Sequence, residues 1–69
     1  MTPDEQAIVE FLKGYGEAFV SRKEIARKAL PRRVFDENPH WVDAPLVALT
    51  DQRILEKNNA AQYRLADYK

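Results

Sequence analysis

Without a single cysteine, this chain of 69 residues has only apolar packing to hold a fold together. A domain of this length hides about 60% of the surface its unfolded chain exposes, so nearly every large apolar side chain must join one thin core. No disulfide can substitute for that core, and no thiolate is present to bind a metal. The apolar residues and the local punctuation must therefore agree on one set of elements, and most of them do.

Two helix starts stand out. Thr2 is a good N-cap, Pro3 suits the first helical position, and Glu5 three residues after Thr2 completes a capping box. Ala7, Ile8, Phe11, Leu12 and Tyr15 then recur at helical spacing as one apolar stripe, and Gly14 and Gly16 end the segment. The stretch EAFV (17–20) follows, in which Phe19 and Val20 form either a brief strand or a packed connection. Ser21 caps a second helix, Glu24 supplies another capping box, and Val20 and Ile25 form a hydrophobic staple. Pro31 ends this helix by restricting Leu30. Ile25, Ala26, Ala29 and Leu30 share its inner side, while Lys23, Glu24, Arg27 and Lys28 take the outer one. Glu24 and Lys28 stand at i, i+4 in the favourable order.

In the segment PRRVFDENPHWV (31–42), Val34, Phe35 and Trp41 want burial and Asn38-Pro39 marks a turn. A short extra helical turn is expected at 32–37. Trp41 is expected to close the core, given how few large apolar residues there are. A third main helix is expected from Asp43 as N-cap, with Pro45 in its first turn, to about Arg53, with Leu46 and Leu49 facing inward. Ile54–Lys57 and Gln62–Leu65 then flank Asn58-Asn59-Ala60-Ala61, a pattern for a hairpin with a four-residue loop in which Asn tolerates left-handed backbone. Tyr63 and Leu65 alternate with Gln62 and Arg64, so one face is buried.

The ordered series resembles the winged-helix variant of helix-turn-helix domains over about residues 3–66. The resemblance is carried by the capped SRKEIARKAL, by Leu46-x-x-Leu49 leading into Ile54-Leu55-Glu56, and by the closing Tyr63-Arg64-Leu65. It implies a single α+β domain over 1–69, with three main helices and a C-terminal β-hairpin wing. In that family the third helix commonly enters the DNA major groove while the second helix and the wing approach phosphates. Two features depart from the pattern. Arg53 stands where the family often has Gly before the strand, and the linker from Pro31 to Val42 is longer than the usual three- or four-residue turn.

Charge is unevenly spread although the formal net charge is zero. Residues 21–33 carry six bases (Arg22, Lys23, Arg27, Lys28, Arg32, Arg33) against one acid, Glu24, and the flanking segments are acidic. Zero net charge gives no overall attraction to a polyanion, but a local cationic surface can still grip one. The expected phosphate contacts are Lys23, Arg27, Arg32 and Arg33, with Lys57 and Arg64 from the wing. Such contacts give affinity and salt dependence without sequence information. The other reading of the run is an ordinary solvated helix face. Base readout usually needs Arg, Lys, Asn or Gln on the groove-facing helix. The outward face of the third helix instead carries Ala44, Val47, Ala48 and Asp51, with Gln52 at its margin. A small, apolar face edged by acids suits a protein partner, so these four residues are the alternative contact set.

Chemistry is harder to find. Glu37-x-x-His40 has the spacing of half a di-metal motif, but Pro39 lies inside it and there is no second copy. Ser21 is accounted for as a cap, Asp36-Glu37 are adjacent and diverge, and no Gly-rich loop could cradle a phosphate. No enzyme activity, cofactor or metal is expected. No apolar run approaches the roughly 20 residues that span a bilayer, and MTPDEQAIVE is unlike a secretory signal. The expected setting is cytoplasmic. Expected partners are double-stranded DNA, bound weakly or without sequence preference, or another protein.

Overall fold

The computed structural model describes residues 1–66. Helix α1 spans Pro3–Lys13, strand β1 Val20–Ser21, α2 Arg22–Lys28, α3 Arg32–Glu37, α4 Asp43–Asp51, β2 Leu55–Lys57 and β3 Gln62–Leu65. These are four helices and one three-stranded antiparallel sheet, in the strand order β1-β3-β2.

The start of α1 follows its sequence signals. Thr2 accepts from the Glu5 N–H, and the Glu5 carboxylate accepts from the Thr2 N–H, closing the capping box. Ile8 and Leu12 are fully buried, and Gly14 is the C-cap. Tyr15 does not continue the stripe inward. The helix has ended, and Tyr15 is 37% exposed with its ring 5.1 Å from that of Phe11.

Between the glycines and α2 the backbone becomes extended, and this short piece is structural. Val20 pairs with Tyr63 and Ser21 with Gln62, so β1 is the outer strand beside β3. Ser21 is thus both the end of a strand and the N-cap of α2, where its hydroxyl accepts from the Glu24 N–H. The reciprocal half of the expected second capping box is not among the described hydrogen bonds. The Glu24 carboxylate lies 3.5 Å from Lys28 Nζ.

The long linker is organised around Trp41. After α3 the chain turns at Asn38, whose carbonyl oxygen accepts from the Trp41 N–H at 3.1 Å. The Trp41 ring is 7% exposed, and its Nε1–H donates to the Ala26 carbonyl at 2.9 Å. Ala26 sits in the last turn of α2, where a carbonyl has no partner within the helix. One side chain therefore closes the core and satisfies a buried helix end.

Helix α4 differs from expectation at both ends. Val42, not Asp43, is the N-cap residue, with helical backbone and no side-chain cap. A capping side chain acts from extended backbone. Here the His40 carbonyl already accepts from the Asp43 N–H, so the chain is curling before the helix begins. The other end stops at Asp51, with Gln52 as C-cap. Arg53 then adopts left-handed backbone at φ 62°. The Ile54 N–H reaches the Leu49 carbonyl and the Arg53 N–H the Thr50 carbonyl, both at 3.0 Å, the two bonds of a Schellman cap. Arginine makes the reversal that glycine would make more cheaply.

The hairpin pairs Leu55 with Leu65, Glu56 with Arg64, and Lys57 with Tyr63. Asn58 N–H donates to the Gln62 carbonyl, which leaves Asn59–Ala61 as the loop proper. The left-handed residue is Ala61, at φ 58°, and neither asparagine takes that conformation. Asn58 acts through its side chain, its Oδ1 accepting from the Ala60 and Gln62 N–H groups. The elements other than α3 meet on one core of Ile8, Leu12, Val20, Ile25, Ala26, Trp41, Val42, Leu46, Leu49, Leu55 and Tyr63, while α3 adds no buried residue and packs Val34 and Phe35, each half-buried, against its edge.

Candidate functional site

The α2 cap and the β1 pairing set the azimuth of α2. With Ile25 and Ala26 turned into the core, Lys23 and Arg27 are left exposed one turn apart. The Arg27 guanidinium lies 5.5 Å from the centre of the Phe35 ring and so links α2 to α3. On α3, Arg32 pairs with Asp36 at 3.3 Å. Arg33 is exposed, with no ion pair among the described residues.

The two hairpin cations are not brought together. Lys57 shares a face with its pairing partner Tyr63, and its ammonium is 6.0 Å from that ring. Arg64 is next along β3 and points to the opposite face. There it pairs with Glu56 at 2.9 Å, donates to the Glu17 carbonyl at 3.2 Å, and lies 4.4 Å from the centre of the Phe19 ring. Among the six expected phosphate contacts, Lys23, Arg27, Arg33 and Lys57 carry no ion pair among the described residues, while Arg32 and Arg64 are each engaged by an acid. Arg32 is thus neutralised four residues along its own helix, and Arg64 by its cross-strand neighbour Glu56.

One polar cluster had no local signal. Arg22, the first residue of α2, reaches Asp43, the first residue of α4, at 2.7 Å. His40 Nδ1 lies 3.1 Å from Arg22 Nη2 and 3.2 Å from Asp43 Oδ2. A neutral Nδ1 accepts from Arg22, and a protonated one donates to Asp43. The hydrogen bond from Arg22 holds the Asp43 carboxyl below the usual aspartate value, against a smaller opposing effect of burial. The acidic side chain also suits the start of α4, where unpaired N–H groups concentrate positive charge.

The alternative contact face lies on α4. Ala44, Val47 and Asp51 are exposed and Ala48 is half-buried. Val47, at 61% exposure, stands out among aliphatic side chains. Beside it runs an open groove of about 190 Å³ lined by Leu46, Val47, Thr50, Asp51, Lys57 and Tyr63. The Thr50 hydroxyl donates to the Leu46 carbonyl at 2.7 Å, which occupies its proton. Asp51 and Lys57 line the same groove without an ion pair between them.

Among the described residues no cluster of three or more His, Cys, Asp or Glu side chains could hold a metal ion, and no helix is long and apolar enough to cross a membrane. The molecule is defined at the level of a small α+β domain with a cationic helix face and an open groove of mixed lining beside α4. No protein-family model matches the chain, and neither a curated protein nor a solved structure matches it significantly.

Proposed function

We propose that this chain is a winged-helix-like module that rests on DNA phosphates, weakly and without reading bases, through Lys23, Arg27 and Arg33 with help from Lys57. The fold reading is supported by the order of the elements, by the strand order β1-β3-β2, and by a terminal hairpin that follows α4 directly. The observation that carries the functional reading is the exposure of Lys23, Arg27 and Arg33 without an ion pair among the described residues, although other cations nearby are paired. Cations not already neutralised are the ones that can release counterions from DNA. The absence of Arg, Lys, Asn and Gln from the exposed side of α4 supports binding without base readout.

The test is a fluorescence-anisotropy titration of labelled duplexes of unrelated sequence over a range of salt. Four phosphate contacts predict a log–log salt slope of about −3.6 and similar affinity for every duplex. Replacing Lys23, Arg27 and Arg33 together by Ala should take that slope to about −1. No binding at low salt, or an unchanged slope in the triple variant, removes the proposal.

A second reading is a protein-interaction module that docks a partner on α4. It is favoured by Val47, an exposed aliphatic side chain at the edge of the groove beside α4.

A further inference from the structure

We infer that His40 is a proton-operated latch between the starts of α2 and α4, its neutral ring tied to Arg22 and its protonated ring to Asp43. The latch goes beyond both readings above and depends on neither.

Two incompatible bonds converge on one atom. Nδ1 of His40 lies 3.1 Å from Arg22 Nη2, a donor only, and 3.2 Å from Asp43 Oδ2, which in the carboxylate is an acceptor only. An imidazole nitrogen either offers a lone pair or carries a proton. With a lone pair, Nδ1 accepts from Arg22 and opposes the Asp43 oxygen. With a proton, it donates to Asp43 and opposes the guanidinium. Arg22 and Asp43 stay joined in both states, because Nε and Nη2 of Arg22 each lie 2.7 Å from Asp43 Oδ1. Only the ring has to change partner. In its neutral form the proton sits on Nε2: Asp43 already receives two N–H groups from Arg22, and the second Nη2 hydrogen is left for Nδ1.

The latch joins three segments. Arg22 opens α2, Asp43 opens α4, and His40 lies in the turn before α4, next to Trp41. Other groups around the turn are engaged elsewhere. Asn38 Oδ1 accepts from the His40 backbone N–H, and the Ser21 hydroxyl at the end of β1 accepts from the Glu24 N–H. Lys23 on α2 and Glu37 on α3, the next charged residues along those helices, make no bond to the ring among the described residues. The ring is 76% exposed, so protons reach it directly. Histidine is the side chain that changes charge between about pH 5 and 8. Acidification therefore adds one positive charge to a cluster in which Arg22 and Asp43 otherwise cancel, and it moves the anchor of the turn from α2 to α4.

The experiment is a nuclear magnetic resonance titration of the full chain, labelled with 15N and 13C, from about pH 8 to about pH 5. At the upper end Nδ1 should carry no proton and Nε2 should carry one. As the ring protonates, the Arg22 side-chain N–H signals and the Asp43 carboxyl carbon should each step at the same pH as the ring. Asp43 itself stays ionised over this range, since Arg22 holds its carboxyl below the usual aspartate value, so a step there reports its neighbour. Both steps should be lost in His40→Gln. The Trp41 Nε1–H, buried against the Ala26 carbonyl, should stay protected from solvent exchange throughout. A neutral ring with its proton on Nδ1, a ring that titrates without a step at both partners, or steps that persist in His40→Gln overturns the latch. Loss of Trp41 protection together with the steps would mean that the fold opens instead, and overturns it too.

Discussion

Arg53→Gly should stabilise the protein, although it removes a large side chain. Arg53 holds left-handed backbone at φ 62° because the Schellman cap of α4 and the start of β2 leave it no other path. In that region the Cβ of an L-residue crowds a carbonyl oxygen, at a cost of roughly 1–2 kcal/mol. Glycine removes the clash but brings a more mobile unfolded chain, which returns about 0.5–1 kcal/mol. The Arg53 side chain is exposed, with no ion pair among the described residues, so its loss subtracts little. The net gain should be about 0.5–1 kcal/mol, or a Tm rise of about 3–6 °C for a domain of this size. Urea unfolding followed by Trp41 fluorescence measures it, because Trp41 is buried against Ala26 and becomes wet on unfolding. Arg53→Ala is the control. It removes the same guanidinium but keeps the Cβ, and should leave stability within about 0.5 kcal/mol of the parent. If Gly and Ala behave alike, or if Gly destabilises, left-handed strain at this junction is not what the substitution relieves.

Other changes test separate parts of the fold. Ala61→Gly should stabilise the hairpin by about 0.5–1 kcal/mol for the same reason, since Ala61 sits at φ 58°, and the hairpin amides should gain exchange protection. Trp41→Phe should keep most of the packing but orphan the Ala26 carbonyl, at a cost of about 1–3 kcal/mol in thermal or urea unfolding. Ser21→Ala removes the α2 cap and should cost about 0.5–2 kcal/mol. Asp43 should contribute a small acid limb to stability. Its folded pKa lies below the ordinary value of 3.8, so its contribution is present above that value and is lost as pH falls through the lower folded one. Asp43→Asn should remove that part of the acid unfolding curve, and an unchanged curve would mean that the Arg22 contact contributes nothing in solution.

Helix starts were legible because their physics is local. Thr2 with Glu5, and Ser21 with Glu24, place an acceptor where a helix has unpaired N–H groups, within three residues of the cap. The apolar spacing of Ile8 with Leu12 and of Leu46 with Leu49 likewise forecasts which sides turn inward. The same logic failed where the deciding partner was remote. Asp43 looked like an N-cap because aspartate often is one, but its carboxylate is taken by Arg22 from 21 residues away. The set of free cations was also thinned by nearer partners, Arg32 by Asp36 four residues on in α3 and the hairpin cation Arg64 by Glu56 and Phe19.

Composition, caps and periodicity by themselves determined that this chain would make capped amphipathic helices and a closing hairpin around a disulfide-free core. They did so because hydrogen bonding at helix ends and the period of apolar residues act over a few positions. Only the folded chain decided that Val20 and Ser21 would become a strand beside β3, that Trp41 would close α2, and that Arg53 would bear left-handed backbone. The first two depend on where a distant element packs, and no short window of sequence contains that element; the third is set by how the end of α4 joins the start of β2.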